Sequence, residues 1–131
     1  MNTSLQIAAF YVALNALITL FLAGYVVRTR VVTKTMLGDG GNMTMLQTIR
    51  AHANNVEYVP LILVMLVTLA LMQASVLILH IVGGALAVGR IAHGIGINRN
   101  PGPSVGRAIG VILTLIAFLT AVVALLMKAF T

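Results

Sequence analysis

The sequence predicts an all-α integral membrane protein, a bundle of four transmembrane helices, and three observations carry that prediction. Of its 131 residues, 60% are hydrophobic and 8% are charged. The apolar residues are gathered into four runs, each long enough to cross a bilayer. Seven of the eight basic residues, Arg28, Arg30, Lys34, Arg50, Arg90, Arg99 and Arg107, fall beside two of the three connections between those runs.

A chain with a mean hydropathy of +1.09 carries more apolar surface than one small soluble core can bury, so lipid has to cover much of it. A formal charge of +6 in a soluble domain would raise the question of nucleic acid. Here the basic residues are scattered among apolar runs and make no basic face, so no nucleic-acid partner is expected. The chain has no cysteine, which excludes disulfides, thiolate metal sites and a thiol nucleophile of its own. Any thiol chemistry would use a thiol brought by a substrate, and no metal is expected.

A bilayer core about 30 Å thick needs roughly 20 helical residues, and the spans expected on that count are residues 5–27, 46–72, 76–95 and 108–127 of a single domain. The first lacks basic residues before it and is too long for the apolar core of a signal peptide, so it reads as a retained helix. Residues 73–75 leave room only for a tight antiparallel turn between the second and third spans. Glycine, asparagine and proline cluster at residues 38–42 and 98–103, the strong turn signals of the chain. The connections that hold the seven basic residues share one side of the membrane. By the positive-inside rule that side is cytoplasmic and both termini face out, to the periplasm of a bacterial inner membrane.

Small residues at helical spacing, Gly106/Gly110 and Gly83/Ala87, mark places where membrane helices approach closely. Asn15 lies near the middle of the first span, where an unpaired amide is costly, so a hydrogen bond to another helix, within one chain or across an oligomer, is its expected role. His80 reads as structural.

The polar residues that open the second span say more. At 100° per residue, Arg50, Asn54, Glu57 and, at the margin, Tyr58 share one helical face. Counting roughly 20 residues back from Met72 sets Arg50 at the interface and Glu57 about one turn inside. A carboxylate at that depth is expensive and is a functional hypothesis by default. Arg90 and His93 near the end of the third span, and Arg107 at the start of the fourth, come to the same level. His52 points away from the Arg50/Glu57 face. Pro60 follows closely and removes a backbone donor beside Glu57. Arginine forks bind carboxylates bidentately, and a glutamate can hold an ammonium. Such a pocket suits a small zwitterionic peptide.

The run from Arg50 to Pro60, together with Arg90-Ile91-Ala92-His93-Gly94, resembles the signature of the MAPEG superfamily, membrane-associated proteins of eicosanoid and glutathione metabolism. The likeness is to its bacterial members that are similar to microsomal glutathione transferases, and it covers the whole chain. It implies a homotrimer that binds glutathione between subunits as a co-substrate, and a lipophilic second substrate drawn from the bilayer. Arg50, Asn54, Glu57 and Tyr58 match the family's glutathione contacts, with His52 where members often have Gln. Arg28 or Arg30 matches the basic residue that ends helix one, Arg90 belongs to the second motif, and His93 stands where members have His or Tyr. Arg107 matches the arginine assigned to thiol activation. The sequence departs from the pattern at Ile97, where many members have Tyr.

The expected function is that of a glutathione transferase or peroxidase acting on hydrophobic electrophiles through an arginine-stabilised glutathione thiolate. Two rivals have different signatures. A small multidrug exporter would hold its glutamate near the midplane, away from arginines that repel cations. A non-catalytic interaction subunit would pair Arg50 with Glu57, or either with Arg107, and leave no cavity.

Overall fold

The computed structural model describes residues 3–130 as four long helices: α1 (Thr3–Thr33), α2 (Met43–Leu71), α3 (Val76–Arg99) and α4 (Val105–Ala129). All four are long and apolar enough to cross a membrane, as the hydropathy runs predicted. At the arginine-bearing end the helices outlast the apolar runs, because backbone hydrogen bonding continues wherever the terminal groups find partners. The last turn of α1 is followed by Lys34 in the left-handed region, at φ 53°. There Arg30 Nη1 donates to the carbonyls of Thr35 at 3.2 Å and Gly38 at 3.1 Å. Asn42 Oδ1 accepts from the Met45 amide at 3.0 Å and starts α2. Ser75 Oγ and Ser104 Oγ cap α3 and α4 in the same way, accepting from Ile78 and Arg107. Each cap satisfies an amide that has no partner within its helix.

The short turn after Met72 lays α2 and α3 side by side and antiparallel. Their register is set by Gln47 Nε2 donating to the Ile97 carbonyl at 2.7 Å and by Arg90 reaching Asn54. Helix α1 packs on α2 and α3, α4 packs on the same two, and α1 and α4 make no close backbone approach. The cross-section is thus a rhombus with α2 and α3 on its short diagonal. One apolar cluster, centred on Ile62, Leu66, Leu79, Val82, Leu86 and Ala117, fills the end away from the arginines. A smaller one of Leu22, Ala51 and Ile97 lies nearer to them. Large side chains face outward, with Leu20 68%, Phe21 73% and Leu119 62% exposed. A soluble protein rarely presents so much apolar surface, and lipid accepts it at no cost.

Between the two clusters lies a buried polar layer. Asn55 Nδ2 on α2 donates to Thr19 Oγ1 on α1 at 2.8 Å, and Thr19 Oγ1 donates to the Asn15 carbonyl at 2.9 Å. Asn15 itself donates from Nδ2 to the Tyr11 carbonyl of its own helix at 2.9 Å. Within the single chain, the bond between helices at this level is made by Asn55. Asn15 takes the carbonyl one turn back in its own helix, a local acceptor that competes with partners on other helices. His80 serves structure as expected, with Nδ1 2.9 Å from the Tyr11 hydroxyl. That contact depends on Gly83, where a Cβ would collide with the Tyr11 ring.

The closest seam joins α3 to α4. A Cβ added to Gly110 would lie 2.5 Å from His93 Cβ, 2.7 Å from its amide nitrogen and 2.8 Å from the Gly89 carbonyl. Two of those neighbours are backbone, so no rotamer change relieves the clash. Gly110→Ala gains about 1 kcal/mol of helix propensity, but overpacking of this kind costs typically 1–3 kcal/mol. We expect a net loss of stability and a lower unfolding midpoint in detergent. An unchanged midpoint would mean that the seam can open without penalty.

Candidate functional site

The site lies at the arginine-bearing end, where the start of α2, the end of α3 and the start of α4 converge. A cavity of about 220 Å³ there is lined by Arg50, Asn54, His93 and Arg107, with Gln47 and Ile97 among its other walls. Four of the residues singled out from the sequence thus face one space although they come from three helices. The α3–α4 glycine seam makes this possible. Gly110 admits the His93 backbone and Gly96 admits the backbone at Arg107, where a Cβ would lie 2.6 Å from the Arg107 amide nitrogen. A wider recess of about 660 Å³ shares His93, Pro101 and Arg107 and continues along α4 past Ala108, Val111 and Ile112. One wall of the site therefore leads onto an apolar outer face.

Arg50 Nη2 stands 3.5 Å from Glu57 Oε1, two turns along the same helix face, and both side chains are 51% exposed. At that distance and exposure the pair contributes little to stability. Its arrangement of a cationic fork beside a carboxylate remains open to a third partner.

Arg107 is half-buried, and its Nη1 donates to the carbonyls of Pro101 at 3.2 Å and Gly102 at 2.9 Å. Those bonds hold the 100–104 loop over the mouth of the cavity. Asn98 Nδ2 donates to the Gly94 carbonyl of its own helix, one turn back, at 2.8 Å.

Arg90 lies deeper and is 2% exposed. Its Nη1 donates to Asn54 Oδ1 at 2.9 Å and to the Asn54 carbonyl at 3.3 Å. Its guanidinium carbon lies 5.9 Å from the centre of the Tyr58 ring, within cation–π range. A small cavity of about 40 Å³ opens between these three residues and Thr114. Tyr58 and Arg90 thus stand behind Asn54, and Asn54 is the residue common to this polar core and the larger cavity.

Three residues that the resemblance assigns to the site lie elsewhere in the single chain. Arg28 is exposed at the end of α1, Arg30 is taken up by the α1–α2 loop, and His52 is half-buried outside the cavities. Gln47, in contrast, lines the site and was not singled out from the sequence. Its position three residues before Arg50, on the same helical face, was the available signal. At Ile97, where a Tyr contact is common in the family, the side chain is 8% exposed and packs with Leu22 and Ala51. Among the described residues no group of three or more His, Asp or Glu could hold a metal ion.

The sequence matches the profile described as the MAPEG family over residues 8–127, nearly the whole chain. The chain belongs to the MAPEG family. It is also similar to the Inner membrane protein YecN of Escherichia coli strain K12, with 34% identity over 88 residues, 67% of each chain. YecN of E. coli O6:H1 matches at the same identity and coverage. No solved structure matches this MAPEG protein. Membership agrees with the resemblance carried by the second-helix motif, and it makes this chain a membrane protein of a glutathione-associated family.

Proposed function

We propose that this MAPEG protein is a glutathione-binding protein of the bacterial inner membrane, a transferase or peroxidase acting on hydrophobic electrophiles. The observation that carries the reading is the convergence of Arg50, Asn54, His93 and Arg107 on one cavity, with Glu57 beside Arg50. Two guanidinium groups provide bidentate donors for carboxylates, and Glu57 provides an acceptor for an ammonium. That donor set fits a tripeptide that is zwitterionic and carries a second carboxylate.

Glutathione would supply the thiol nucleophile that this cysteine-free chain lacks. Arg50 and Glu57 would fix its charged ends. Arg107, the candidate catalytic residue, would favour the thiolate over the thiol by placing positive charge near the sulfur. The recess along α4 offers a lipophilic substrate an approach from the bilayer.

In a homotrimer a neighbouring copy would cover the half-exposed Glu57, whose charge is costly to leave facing lipid. Arg28, exposed and remote from the cavity in its own chain, is the residue such a neighbour would bring. Similarity to an inner membrane protein and the seven basic residues at one end support an inner-membrane location with the site on the cytoplasmic side.

A second reading has one observation in its favour. The Arg50–Glu57 pair is what a non-catalytic interaction subunit predicts. That reading also predicts a closed site, and the cavity beside the pair counts against it.

Calorimetric titration of the detergent-solubilised protein with glutathione tests the proposal. Saturable binding at or below millimolar concentration is expected. A folded protein that releases no heat across that range would sink the reading. The role of Arg107 is tested separately by the thiolate absorbance of bound glutathione as a function of pH. Arg107→Ala is expected to retain binding and to move the thiolate midpoint up by about one pH unit or more. An unmoved midpoint would remove Arg107 from thiol activation.

A further inference from the structure

Another apolar recess lies on the other side of α3, away from the site. It measures about 560 Å³ and runs between α1 and α3, with Leu17, Phe21 and Leu22 on one wall and Ile91 and Ile95 on the other. Gly94 forms its floor, where a Cβ would touch only Leu22 Cδ2, at 3.4 Å. The volume is that of a site for a medium-sized ligand rather than a packing defect.

The two helices are parallel here, since Leu22 meets Gly94 on one side while Tyr11 meets His80 further back. The groove therefore runs along the membrane normal. Its ends differ. At the arginine-bearing surface it is closed by Tyr25, Asn98 and Arg99, and Arg99 is exposed in the last turn of α3. From there inward the walls are apolar until Arg90, nine residues along α3 from Arg99 and roughly 13 Å deeper at the helical rise.

We propose that this groove is a binding site for an anionic phospholipid of the surrounding leaflet. One acyl chain lies between α1 and α3, and the phosphate is held by Arg99 with Asn98. A cationic side chain at headgroup level above an apolar slot within the leaflet is the arrangement that binds acidic lipid head groups between transmembrane helices. The electrophilic substrate of the proposed reaction is excluded as the natural occupant by position. The groove shares none of Arg50, Asn54, His93 and Arg107 with the glutathione cavity, and of the site's residues only Arg90, buried behind Asn54, reaches its deep end. The inference is independent of glutathione binding and stands or falls separately.

The chain contains no tryptophan, so Phe21→Trp places a single fluorophore in the groove wall without a competing signal. The protein would be reconstituted in bilayers that contain brominated phosphatidylglycerol or brominated phosphatidylcholine. We expect phosphatidylglycerol to be favoured at the reporter by about fivefold, the ratio that one arginine near an anionic surface supports. Adding Arg99→Gln should bring the ratio to about one. Gly94→Leu, which fills the slot and leaves the charge untouched, should also abolish the preference. A second reporter, Leu119→Trp on the exposed face of α4, should show no comparable preference. Equal quenching by both lipids at the groove reporter would overturn the proposal, as would a preference that survives Arg99→Gln or one equally strong at Leu119→Trp. Absence of quenching by either lipid would also overturn it, and would mean that a second copy of the chain covers the groove.

Discussion

Replacing Arg50 with Ala is expected to weaken glutathione binding by about 10- to 100-fold, the loss that follows removal of a charged hydrogen-bond partner worth roughly 1.5–3 kcal/mol. Glu57→Ala should cost a similar factor, because an ammonium then loses its carboxylate while Arg50 loses its neighbour at 3.5 Å. Neither change should lower thermal stability much, since the pair is half-exposed and contributes little to folding. The two single variants leave one ambiguity, because a purely structural pair would also be broken. The exchange Arg50→Glu with Glu57→Arg removes it. The exchanged pair can reform within the helix, so a structural role would be restored. A binding role would not be, because each charge would meet the wrong end of the ligand. Calorimetry on the exchanged protein should therefore show no recovery of affinity, and recovery to the wild-type value would overturn the assignment of these residues to the ligand.

The largest effect on stability is expected at Asn54. Arg90 is 2% exposed, and the Asn54 side chain supplies its shorter bond, at 2.9 Å. Asn54→Leu deletes that acceptor and leaves a buried guanidinium N–H without it. The penalty for an unmade bond to a charged group is about 2–3 kcal/mol, and removing one partner from a buried charge is generally far worse than removing both. Arg90→Met in the Asn54→Leu background should accordingly recover most of the loss, because an apolar side chain of similar length then fills the same space. The unfolding midpoint in detergent of the two single variants and the double variant measures this directly. A double variant no more stable than Asn54→Leu alone would show that Arg90 is not the group left stranded.

The Arg90–Asn54 bond also separates what could be read from the chain from what could not. The class of fold was open to reading because a bilayer requires roughly 20 consecutive apolar residues per helix, and four such runs stand in the sequence with turn residues between them. The level of the site was legible for a related reason. Seven of the eight basic residues fall on one side, so Arg50, Arg90, His93 and Arg107 had to come to one end of the bundle. Membership of the family was legible because the second-helix motif packs several chemically unusual residues into one short run.

Partnership was not legible. Periodicity puts Arg50, Asn54, Glu57 and Tyr58 on one face of α2, but which of them meets Arg90 depends on the register between α2 and α3. That register is fixed by a turn of a few residues and by Gln47 reaching the Ile97 carbonyl. The same holds for Asn15, whose place in a polar layer was foreseeable while its choice of an intrahelical acceptor was not. Arg107 was marked for chemistry, and only the path of the 100–104 loop brings the Pro101 and Gly102 carbonyls to its guanidinium.

The sequence by itself determined that the protein is a membrane bundle of the MAPEG family with its charge at one end, because hydropathy, charge placement and a local motif are properties of the chain read in order. The tertiary structure alone decided that Arg50, Asn54, His93 and Arg107 share a cavity while Arg90 is buried behind Asn54. Contacts between helices depend on glycine-limited separations at residues 96 and 110 and on helix register, and neither is encoded in any single segment.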